Sequence, residues 1–203
     1  MKKLMFMLLV STLFFNGCSK DDGGSADDAV KITNEEQAKA AFAAIQSLWN
    51  STLRSLITAE EKTFTNETLA IAGGSAIVNG EYSTTRSSSS SSSRNSSYID
   101  VFITFQDFQT DQLKISGTIR FFDTSNSRTA CSSSGCASSY HTSLAYKTQP
   151  SLENEDLIPC NLNFLYNGQQ ISDVILFDSG KSDNQHWSVK VTNGNNETFS
   201  FSI

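Results

Sequence analysis

The sequence is poor in the residues that carry most catalytic and metal chemistry. It holds two histidines, His141 and His186, and four cysteines among 203 residues. Structural zinc needs about four convergent ligands. Cys131-x₄-Cys136 followed by the distant Cys160 has no second close pair, and His141 is the one imidazole nearby. A Cys-x-x-Cys redox motif is absent, as are a Gly-x-Ser-x-Gly elbow, a phosphate-binding glycine loop and an EF-hand pattern. The carboxylate pairs Asp21-Asp22, Glu35-Glu36 and Glu60-Glu61 fall on a tether or at helix ends, which are solvated positions rather than a cleft for acid–base work. No catalytic residue, metal ligand or cofactor is therefore expected.

Charge is scarce as well. Charged residues make up 18% and hydrophobic residues 38%, with Ser, Thr and Asn filling the difference. That composition excludes a helical bundle and suits strands with one wet face and long polar connections. The formal charge of −6 argues against nucleic acid as a partner, because phosphates demand Lys and Arg. It also argues against a polybasic membrane-surface protein.

What is present begins with a targeting pattern. Lys2 and Lys3 precede an apolar run from Leu4 to Phe15, too short to cross a bilayer as a helix. Asn16-Gly17-Cys18 then sets a small residue before a cysteine. This segment resembles the lipobox of bacterial lipoproteins, although Phe15 and Asn16 depart from the usual Leu and small residue. The resemblance implies cleavage before Cys18 and acylation of Cys18, with two or three chains giving firm anchoring. Ser19, rather than Asp, follows the cysteine, so the inner-membrane retention signal of enteric lipoproteins is missing. Ser19-Lys20-Asp21-Asp22 resembles the export signal of Bacteroidetes-type surface lipoproteins. The expectation is an exported outer-membrane lipoprotein, held to the membrane through Cys18 and open to surface display. Residues 1–17 are its signal peptide, 18–30 the lipidated cysteine with a flexible tether, and 31–203 a single domain.

Within that domain the period of the apolar residues changes once. Ala38, Ala41, Phe42, Ile45, Leu48, Trp49, Leu53, Leu56 and Ile57 recur at three and four, predicting an amphipathic helix that ends near Ala59. Thr33 and Glu36 have capping-box spacing at its start. From Leu69 the period is two. Strands are expected around Ala76–Tyr82, Val101–Phe105, Leu113–Phe121, Tyr140–Tyr146, Cys160–Tyr166, Ile171–Phe177, Trp187–Val191 and Phe199–Ile203. Asn167-Gly168 and Asn193-Gly194 are hairpin signals. The expected fold class is mainly β (α+β): an N-terminal amphipathic helix packed on a curved antiparallel meander of about eight strands, barrel- or half-barrel-like.

Two segments are expected as long loops: the serine run Ser87–Ser93, as a disordered hairpin tip, and Thr124–Ser139. Export to an oxidising compartment makes Cys131–Cys136 the expected disulfide, and Cys160 falls on the apolar side of its strand. His141 and His186 fall on polar faces, and Phe102 and Phe108 lie outside the inward-facing set. These features favour a non-catalytic binding module meeting a protein or glycan through its loops. A carrier of a lipid or small apolar ligand is the alternative, which predicts an apolar cavity under the sheet. A hydrolytic enzyme ranks third.

Overall fold

The computed structural model describes residues 30–203 apart from Asn184. The segments expected as signal peptide and tether, with Cys18, lie outside the described residues up to residue 29. The helix runs as α1 (Glu35–Leu48), a π-helical turn (Trp49–Leu53) and α2 (Arg54–Ile57). Its cap sits one residue later than Thr33–Glu36 spacing suggests. Asn34 is extended, and its side-chain oxygen accepts the Gln37 N–H at 3.0 Å. Gln37 in turn accepts the Thr33 N–H at 2.8 Å, while Glu36 pairs with Lys39. Both residues of the pair are amides, which satisfy the orphan N–H groups without adding charge.

The sheet has nine antiparallel strands: β1 (Lys62–Ile71), β2 (Gly74–Ser88), β3 (Ser92–Gln109), β4 (Leu113–Ser132), β5 (Gly135–Thr148), β6 (Cys160–Tyr166), β7 (Gln169–Ser182), β8 (Ser188–Thr192) and β9 (Thr198–Ser202). The order is β1-β2-β3-β4-β5-β7-β8-β9, with β6 paired to β4 and β7. β5 takes the far end of β4 (Ile119–Ser132) and β6 the near end (Leu113–Ser116), so the two share one lane. Both then pair with β7, which closes a four-strand circuit of pairings. The ninth strand, β1, escapes period-two reading because a bulge between Phe64 and Glu67, with Asn66 at φ 48°, breaks its alternation.

The sheet curves around the helix, which fills its concave side. Ala38, Ala41, Phe42, Ile45, Trp49, Leu53 and Ile57 are buried against Val78, Val101, Ile119, Phe121 and Tyr146. Leu56, counted in the predicted stripe, is instead exposed. Glycine permits the curvature at Gly80, where φ is +123° and an added Cβ would lie 2.0 Å from the Asp100 carbonyl oxygen.

Two aromatic assignments change. Phe108 is buried in the main core because a bulge between Phe105 and Phe108 returns it to the inner face. Phe102 is buried on the outer face instead. There Arg120 makes two 2.7 Å hydrogen bonds to the buried Asp100 and lies over the Phe102 ring. Of the two turn signals, Asn167-Gly168 has positive φ at both residues. Asn193 does not. Its buried side chain donates to the Ile32 carbonyl at 2.7 Å and accepts the Glu197 N–H at 2.8 Å. With Asp173, which accepts the Ile32 N–H at 2.9 Å, it clamps the chain where it enters the domain.

Candidate functional site

Of the two segments expected as loops, Ser87–Ser93 is the tip of the β2–β3 hairpin, with Ser89–Ser91 as its turn, whereas Thr124–Ser139 is largely strand. Ser87 and Ser88 end β2, Ser92 and Ser93 begin β3, and Thr124–Ser139 forms most of a β4–β5 hairpin. Their long polar runs hide a regular ladder in which β3 and β4 stay paired from Ser92↔Ala130 to Phe105↔Gly117. The far halves of β2 to β5 therefore project past the helix as a four-stranded sheet with polar side chains on both faces. Serine and threonine pairs bridge it, as between Ser97 and Ser125 at 2.8 Å and Thr129 and Ser138 at 2.9 Å. The Cys131–Cys136 disulfide joins directly opposed residues near the tip. Tyr140 shares the inner face with Tyr146 but lies beyond the helix, and it is 63% exposed.

Where the projection meets the helix, a cleft of about 290 Å³ opens on the concave side. Its floor is aromatic. Trp49 stacks on Phe121 with ring centres 4.6 Å apart, and Tyr146 packs against Trp187 at 4.8 Å. Its walls are polar: Gln46, Asn50 and Arg54 from the helix, Ser125 and Thr142 from the sheet. The π-helical turn contributes here, since Trp49 and Asn50 belong to it and Arg54 follows it. Both tryptophans of the chain line this cleft.

Asp123 is its most unusual group. The residue is 3% exposed and its Oδ2 lies 2.8 Å from Arg54 Nη2. That approach lacks hydrogen-bond geometry, so Oδ2 is ion-paired without a directional donor. Burial pushes the Asp123 carboxyl above its usual range, and Arg54 offsets only part of the shift. Burial likewise raises the Tyr146 hydroxyl, with Asp123 adding to the effect. A buried carboxylate paired with a half-exposed arginine and set beside a tyrosine, over aromatic rings, suits a ligand rich in hydroxyl groups.

The cysteines and histidines do not join this cleft. Cys160 is buried, and burial pushes its thiol up to about 12, which makes it an inert packing residue. His141 is exposed on the outer face of β5, with Nδ1 3.3 Å from Asp183. His186 lines a separate outer groove with Lys181 and Lys190. Among the described residues, no three His, Cys, Asp or Glu side chains are grouped to hold a metal ion. Sequence reasoning missed the cleft because Asp123 and Arg54 lie far apart in the chain, and the fold alone brings them together. No protein-family profile, curated protein or solved structure matches this chain.

Proposed function

We propose that the protein is a lipid-anchored envelope lipoprotein whose domain is a non-catalytic binding module displayed at the outer membrane or cell surface, taking a hydroxyl-rich ligand such as a glycan in the concave cleft. The observation that carries the reading is the cleft itself, with the Asp123–Arg54 pair set over an aromatic floor at the base of a polar sheet. The lipobox-like Asn16-Gly17-Cys18 supports the anchor. The carrier alternative asks for an apolar space under the curved sheet. The helix fills the concave side, with Ile45, Trp49 and Leu53 at 0% exposure, and an apolar groove of about 340 Å³ beside it, lined by Ala40, Ala44, Leu48, Phe108, Leu113 and Phe164, is the space a carrier would use.

Two arms test the proposal. Growth with labelled palmitate should label the wild-type chain and leave Cys18→Ser unlabelled. Titration of the full chain in detergent with neutral oligosaccharides should shift the emission of Trp49 and Trp187, which line the cleft, and Asn50→Ala should abolish the shift. Equal labelling of both chains would sink the anchor. Emission unmoved by any neutral oligosaccharide would sink the cleft as a glycan site.

A further inference from the structure

The outer face of the projecting sheet carries a feature that the cleft does not use. Arg94 on β3 and Arg128 on β4 are directly opposed in register. Like charges placed so are mutually repulsive, a cost that a bound anion would reverse. Neither guanidinium has a carboxylate within ion-pair distance among the described residues, whereas Arg54 and Arg120 each have one. Arg94, Arg128, Asn126, Ser139 and His141 line a depression of about 300 Å³. Every one of these side chains can donate a hydrogen bond. Asp183 receives the Thr142 N–H and contacts His141 at the edge of the depression, and it is paired with neither arginine. The depression is thus a cationic island on an acidic chain.

The fold also shows where the island points. The chain enters the domain at Val30, which bridges to Ile171, and Ile171 pairs with Phe164, the partner of Leu113 at the near end of β4. Arg128 lies toward the other end of β4. Fifteen residues at ~3.3 Å each put it about 50 Å along the strand from that entry point. The island thus lies at the end of β4 remote from the point where the chain enters the domain.

We propose that Arg94 and Arg128 form a second binding site, for the tetrahedral oxyanion esters of an acidic polysaccharide, with sulfate esters as the probe. The paired guanidiniums would clamp one sulfate in forked hydrogen bonds, with Asn126 and Ser139 donating to neighbouring oxygens. The proposal rests on the binding-module reading only for its direction of display, and its chemistry is independent of the anchor and of the concave cleft.

The test is calorimetric titration of the full-length chain in detergent, at low salt, with a heparin-derived hexasaccharide and its desulfated counterpart. Binding should require the sulfates. Arg94→Gln with Arg128→Gln should weaken it at least about tenfold, as expected for loss of a charge-assisted pair of contacts. Arg86→Gln, on the opposite face of the same projection, should leave it within about twofold. All three positions are exposed, so unchanged melting will show that the variants fold. Absence of binding, equal loss in Arg86→Gln, or equally strong arginine-dependent binding to phosphatidylglycerol vesicles would each overturn the proposal. None of these outcomes alters palmitate labelling at Cys18 or the tryptophan response, so a failure here is distinguishable from failure of the binding-module reading.

Discussion

The two halves of β3 and β4 have the same backbone and opposite chemistry. Near the helix the inner face presents Ile99, Val101, Ile103, Ile119 and Phe121, all buried. Beyond the helix the same face presents Ser93, Asn95, Ser97, Ser127 and Thr129 in an unbroken register. One half is held by apolar area removed from water, worth ~25 cal/mol per Å². The other is held by ladder hydrogen bonds, cross-strand hydroxyl pairs and one disulfide. Pairing alone thus extends a sheet past its core, and the extension leaves both faces free for recognition.

Substitutions that act on one half only will sharpen the contrast. The largest effect is expected in the covered half. Gly80→Ala forces a side chain onto a φ of +123° and against a backbone carbonyl, with no soft neighbour to yield. It should cost at least about 3 kcal/mol, measured by chemical unfolding, or prevent folding altogether. Replacing Cys131 and Cys136 by Ser should cost no more than about 2 kcal/mol, because the loop it closes is short. The loss should show as faster amide exchange confined to the tip.

Smaller still is the effect at the junction. Asp123 binds its proton more tightly in the folded than in the unfolded state, because burial raises its pKa. Its contribution to stability is therefore greatest below the unfolded carboxyl value of ~3.9 and declines as pH rises through the folded value. Asp123→Asn removes that decline. The difference in unfolding free energy between variant and wild type should move in the variant's favour as pH rises through this window, then level off. The smallest effect belongs to the projection. Ser127→Ala should change stability by less than about 0.5 kcal/mol, since it removes neither core area nor a ladder bond.

This contrast also explains what was legible in the sequence. The helix and the inner faces of the covered strands follow from the spacing of Ala38 to Ile57 and from runs such as Leu113, Ile115, Ile119 and Phe121. Such patterns record burial, and where nothing is buried they fall silent. Thr124–Ser139 therefore reads as a loop although it pairs as strands, and Ser87–Ser93 reads as a tip longer than the three residues, Ser89–Ser91, that turn. The strand β1 and the inward turn of Phe108 were hidden by bulges, which shift the alternation by one residue. The Cys131–Cys136 bridge was legible from export chemistry and close spacing. The cleft and the Arg94–Arg128 pair were not, because each joins residues that only the register sets side by side.

Amide hydrogen exchange across β3 and β4 of the full chain tests the central claim most directly, namely that the polar half is a folded platform. Ser93–Ser97 and Ser125–Thr129 should exchange more slowly than an unstructured chain and faster than Val101 and Ile119. Exchange of those polar segments at the rate of an unfolded peptide would contradict the account and return both to the status of loops.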